Sequence, residues 1–119
     1  MSWTVVCPYP QLEPERGVAA LVDGEQVAVF RTFDGRLFAI GNRDPIAGAY
    51  VLSRGIVGTR GDTPVVTSPL YKQAYDLRTG ACLDAPGVSV PTYRVRCHEG
   101  MVQVGAPRSD AAGMTVRRT

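Results

Sequence analysis

Apolar and polar residues alternate most clearly in two overlapping stretches, residues 17–30 and residues 30–40. Each holds two β-prone runs joined by Asp-Gly, at Asp23-Gly24 and at Asp34-Gly35, and glycine supplies the positive φ that a tight hairpin turn needs. The pattern predicts a three-stranded meander. A third hairpin is predicted further on, where residues 92–98 alternate strictly, meet Glu99-Gly100, and resume at residues 101–104. Alternation sends Tyr93, Val95 and Cys97 to one face of that hairpin and Arg94, Arg96 and His98 to the other. One face is core and the other is wet.

Between these regions, residues 42–91 are rich in proline and glycine and show only short β-prone runs, at residues 55–58, 65–67 and 74–77. A helical period is absent apart from a single turn around residues 10–15. The expected fold is therefore all-β, a small barrel or sandwich with an inserted loop subdomain. Trp3 is expected to anchor the start of the first strand on the core. Residues 1–105 read as one domain, and residues 106–119 lose the alternation and read as a flexible C-terminal tail.

A chain of 119 residues needs only one core. Its formal charge of +2 is too small to argue for a nucleic-acid or anionic-membrane surface. Apolar runs are far shorter than the roughly 20 residues of a membrane span, and the first residues do not read as a secretory signal, so the expected compartment is the cytoplasm. Cys7, Cys82 and Cys97 are odd in number and widely spaced, which argues against a disulfide framework and for buried or half-buried thiols. The single histidine, His98, falls on the polar face of the last hairpin and reads as a surface residue.

Two segments carry a resemblance. Residues 39–49, with Asp44-Pro45-Ile46-Ala47-Gly48-Ala49, resemble the first ligand loop of Rieske domains, Cys-Pro-His-x-Gly-Ala. Residues 64–80, with Ser68-Pro69-Leu70-Tyr71 and the hairpin Tyr75-Asp76-Leu77-Arg78-Thr79-Gly80, resemble the second ligand loop and the turn that follows it. The resemblance implies a Rieske-like fold, a small β-barrel or sandwich with a two-loop subdomain. A Rieske [2Fe–2S] centre takes two Cys thiolates and two His nitrogens. At the matching positions this chain has Asp44 and Ser68 for the cysteines, and Ile46 and Tyr71 for the histidines. Hard oxygens and an alkyl group do not replace soft thiolate and imidazole donors, so no metal and no cofactor is expected in this chain.

The chain is similar, within that family, to the small subunits of NADH-dependent nitrite reductase. The resemblance lies in Trp3 to Cys7, Asn42 to Pro45, Ser53 to Gly58, Ser68 to Gln73 and Thr79 to Asp84. It implies an accessory subunit supporting the reduction of nitrite to ammonium, with no catalytic residue of its own. The implied partner is a large subunit carrying FAD, an iron–sulfur cluster and sirohaem, and neither nucleic acid nor membrane is an expected partner. The other classes are a Rieske-type ferredoxin electron carrier and a cluster-free β-barrel interaction module. Asp44 reads first as a turn residue capping nearby backbone groups. Ile46 and Tyr71 are expected to fill the volume a cluster would occupy. Lys72 and Gln73 fall at a loop tip, solvated or partner-facing. If the tip docks, its contact residues are Arg43, Asp44, Tyr71, Lys72 and Gln73. The alternative contact is the tail, through Arg108, Arg117 and Arg118.

Overall fold

The computed structural model describes residues 2–108. Its strands are β1 (Thr4–Pro8), β2 (Arg16–Val22), β3 (Glu25–Arg31), β4 (Leu37–Gly41), β5 (Arg43–Asp44), β6 (Ala49–Tyr50), β7 (Ile56–Arg60), β8 (Thr63–Thr67), β9 (Ala74–Asp76), β10 (Thr92–His98) and β11 (Met101–Pro107). Short 3-10 turns occupy Tyr9–Gln11 and Leu52–Arg54. The first falls slightly before the single turn expected at residues 10–15.

All three predicted hairpins are present. β2 and β3 pair from Arg16↔Arg31 to Val22↔Glu25, and the turn between them places Asp23 at φ 50° and Gly24 at φ 83°. Glu99 and Gly100 repeat this at φ 52° and 82° between β10 and β11. Two consecutive positive φ values are the signature of the hairpin turn whose twist matches that of its strands. A six-stranded antiparallel sheet results, in the order β1-β11-β10-β4-β3-β2, curled into a nearly closed barrel. The insertion between β4 and β10 supplies a three-stranded sheet, β7-β8-β9, and the two-residue ladder β5-β6.

Strand alternation divides the apolar residues between two cores. Val27 and Val29 of β3 enter the barrel interior with Leu12, Val22, Ala39, Tyr93, Val102 and Val104. Ala28 and Phe30, one residue out of phase, enter a second core with Ile40, Leu52, Val66, Tyr75 and Leu77, where the small sheet packs on the outside of the barrel. Burying each large side chain contributes roughly 1.5–3 kcal/mol. Gly80, at φ 81°, ends the β9 turn by donating its N–H to the Asp76 carbonyl at 2.7 Å. A Cβ there would lie 2.0 Å from the Val90 carbonyl oxygen, so only glycine allows this approach.

The last hairpin differs from its expected pattern in one place. Tyr93 is buried and Val95 half-buried, but Cys97 is exposed, because β10 runs past the end of the barrel. Cys82 is buried and Cys7 half-buried, as expected. β11 continues to Pro107, and the Arg108 N–H donates to the Thr92 carbonyl at 2.8 Å, so the sheet reaches past residue 105. The remaining tail residues, including Arg117 and Arg118, lie outside the described residues.

Candidate functional site

Two loops meet at one end of the small sheet, and they are built alike. In the first, Asp44 is followed by Pro45, and the Ile46 N–H donates to Asp44 Oδ1 at 2.9 Å. In the second, Ser68 is followed by Pro69, and the Leu70 N–H donates to Ser68 Oγ at 3.4 Å. Four residues on, Gly48 donates its N–H to the Asp44 carbonyl at 2.7 Å and Lys72 donates to the Ser68 carbonyl at 3.2 Å. Gly48 and Lys72 both sit at positive φ, 71° and 66°. Proline fixes φ after each anchor residue, and a short polar side chain then caps the turn. The two loops are therefore one motif used twice, face to face.

Their bases are tied directly. Asp44 and Ser68 are both fully buried, and Ser68 Oγ donates to Asp44 Oδ2 at 2.5 Å. Tyr75, also fully buried, reaches from β9 and donates its hydroxyl to Asp44 Oδ1 at 2.8 Å. Asp44 has no cation in this network. Burial pushes its carboxyl upward, but hydrogen bonds from Ser68, Tyr75 and the Ile46 and Ala47 amides outweigh burial and hold it below its ordinary value. Burial and the adjacent carboxylate push the Tyr75 hydroxyl up, which keeps it a donor. The turn role read for Asp44 is present, with two long-range hydroxyl partners added.

Tyr71 does not fill the space between the loops, whereas Ile46 keeps most of its surface covered. Ile46 is 37% exposed and Tyr71 61% exposed, and with Leu70 they form an apolar tip. The polar latch closes the base beneath them, and Tyr71 turns outward. Asp44 is inaccessible and leaves the set of partner-facing residues. Arg43 and Lys72 are exposed, and Gln73 is half-buried with its Oε1 buried and unpartnered. His98 is exposed as expected, 3.8 Å from Glu99. The role of Tyr75 was missed: its signal is the aromatic residue that precedes Asp76 in the second motif.

The four positions that would hold a Rieske cluster do not fit one. Two are hydrogen-bonded to each other, one carries no donor atom, and one points away into solvent. Among the described residues, no three His, Cys, Asp or Glu side chains converge as a metal site.

Known proteins resemble the chain over most of its length. Residues 2–105 match the model of the Rieske-like [2Fe-2S] domain. The small subunit of NADH nitrite reductase from Escherichia coli strain K12 is 40% identical over 104 residues, covering 87% of this chain and 96% of that one. A solved structure from Mycobacterium tuberculosis, assigned as an NADH-dependent nitrite reductase small subunit, superposes with a TM-score of 0.85 at 53% identity, covering 90% of this chain and 95% of that chain. The NAD(P)H nitrite reductase large subunit of Klebsiella oxytoca also contains a matching segment, 37% identical over 103 residues, which is 87% of this chain and 11% of that protein. The chain belongs to the Rieske-like [2Fe-2S] domain family and, within it, to the small subunits of NADH-dependent nitrite reductase.

Proposed function

We infer that this chain is the accessory subunit of an NADH-dependent nitrite reductase and acts by binding the large subunit that reduces nitrite to ammonium. The observation that carries this reading is whole-length identity with small subunits of that enzyme. The Klebsiella oxytoca protein supports it, because there a segment like this chain is covalently part of a large subunit. In this reading FAD, an iron–sulfur cluster and sirohaem reside in the large subunit, and this chain carries no cofactor. The latch of Asp44, Ser68 and Tyr75 supports that assignment, since a cluster would need donors these residues do not supply. No helix among the described residues is long and apolar enough to cross a membrane. The cytoplasm, where NADH is made and used, is the compartment the reading requires.

The loop tip is the first candidate docking surface, through Arg43, Tyr71, Lys72 and Gln73. It combines exposed Ile46, Leu70 and Tyr71 with two cations, a mixture suited to an interface anchor. The test is reconstitution with the purified large subunit. The chain should co-elute with it and raise NADH-dependent nitrite consumption, and an Arg43→Glu, Lys72→Glu variant should remain folded but lose co-elution. Failure of the unaltered chain to associate would overturn the subunit reading. Unchanged association of the variant would remove only the tip. A chelator should leave the unfolding midpoint of the isolated chain unchanged.

A further inference from the structure

Trp3, the chain's single tryptophan, was expected to anchor β1 on the core, and it packs elsewhere. β1 and β11 pair from Thr4↔Val104, and Val104 points into the barrel. Alternation sends Gly105, the next residue, to the outer face. There the indole covers it: a Cβ on Gly105 would stand 3.1–3.3 Å from three atoms of the Trp3 ring. The ring therefore lies face-on against the outside of the barrel, where it is half-buried.

The same face carries a row across three strands. Val5 of β1 pairs with Gln103 of β11, and Gln103 pairs with Arg96 of β10. Arg96 Nε donates to Gln103 Oε1 at 2.7 Å, and the Arg96 guanidinium sits 4.0 Å from the centre of the Trp3 ring. Val5, beside them, is 55% exposed. β1 is the last strand of the six-stranded sheet, so the row ends at an edge.

This corner has the makings of a contact. Tryptophan and arginine concentrate at the centres of interfaces, and an edge strand is a surface on which another chain can settle. Gly105 seats the ring and Gln103 holds the guanidinium, so a partner that covers them costs the side chains little further freedom.

The ends of the domain indicate the partner. In the Klebsiella oxytoca large subunit a segment like this chain makes up 11% of the protein, so the remainder is joined to such a domain through its ends. Here those ends meet, because Thr4 opens β1 and pairs with Val104 of β11. A polypeptide continuing from either end leaves beside Trp3 and Val5.

We propose that the β1–β11 corner is a docking surface for the large subunit, which lays an apolar patch over Trp3 and Val5. The proposal rests on the accessory-subunit reading, and it adds a contact made of residues that the loop tip does not include.

The experiment measures the affinity of purified large subunit for the full chain and for its Val5→Arg, Trp3→Ala and Leu21→Arg variants, with thermal melting to check that each is folded. Leu21, 68% exposed on the opposite edge strand β2, is the control. Val5→Arg should melt as the native chain does and bind at least tenfold more weakly, Trp3→Ala should also bind at least tenfold more weakly, and Leu21→Arg should bind as the native chain does. Native affinity in Val5→Arg would overturn the corner while leaving the subunit reading intact, even if Trp3→Ala failed to fold. An equal loss in Leu21→Arg would overturn it too, since exposed apolar area at large would then carry binding. Absence of binding by the full chain would overturn both readings. Sedimentation of the isolated chain closes the test: a native dimer that Val5→Arg turns into a monomer would assign the corner to a second copy, and the proposal would fall.

Discussion

The barrel interior and the base of the two loops are equally dry and are held together by opposite means. Inside the barrel, Val27, Val29, Val102 and Val104 are fully buried and contribute through apolar contact alone. At the loop base, Asp44 and Ser68 are as inaccessible, yet both are polar and one is charged. Apolar packing is non-directional, so a barrel position accepts another side chain of similar volume at modest cost. The latch is directional. The two oxygens of Asp44 receive two hydroxyls and two amides, and removing the carboxylate leaves those donors buried with nothing to bind. The loop base is held by hydrogen-bond valence.

The comparison can be broken first on its apolar side. Phe30→Ala, in the core shared by the barrel and the small sheet, should cost about 3–5 kcal/mol in urea unfolding, the usual range for emptying a buried aromatic site. Next is the latch itself: Asp44→Ala should cost about 2–4 kcal/mol, since it strands the Ser68 and Tyr75 hydroxyls. A loss below about 0.5 kcal/mol would mean that the loops stand without it, in contrast with the range for stranded donors.

A pH titration sharpens the same point. The folded Asp44 carboxyl lies below its ordinary value, so its contribution to stability is fully present above the unfolded carboxyl pKa of about 4. It is lost as pH falls through the lower folded value. The stability of the native chain should therefore drop below about pH 4 more steeply than that of Asp44→Asn, measured by denaturant midpoint at each pH. Parallel curves would show that Asp44 is not linked to folding. The smallest effects belong to the tip: Tyr71→Ala should shift stability by less than about 1 kcal/mol, because its side chain is 61% exposed, and Ile46→Ala by about 1–2 kcal/mol, because Ile46 is 37% exposed and keeps most of its surface covered. Their loss should be read in binding to the large subunit instead.

Local chemistry made much of this fold legible. Asp23-Gly24 and Glu99-Gly100 announce their turns because few dipeptides tolerate two positive φ values in succession, and period-2 alternation marks β2, β3, β10 and β11. The loop positions Asp44 and Ser68 were also legible, through their following prolines and their place in the Rieske pattern. Their union was not. Ser68 lies 24 residues from Asp44 and Tyr75 lies 31 away, and hydrogen bonds over such distances leave no periodic trace. The outward turn of Tyr71 left no periodic trace either. Cys97 misled because alternation gives the side of a strand and not where the barrel ends.

β3 has a consequence for how the molecule opens. Val27 and Val29 belong to one core and Ala28 and Phe30 to the other, so neither core can loosen without disturbing a strand that the other requires. The amides of Val27 to Phe30 should then exchange with solvent deuterium only when the whole chain unfolds, while those of the loop tip exchange through small local openings. The small sheet and the barrel should accordingly melt in one cooperative transition.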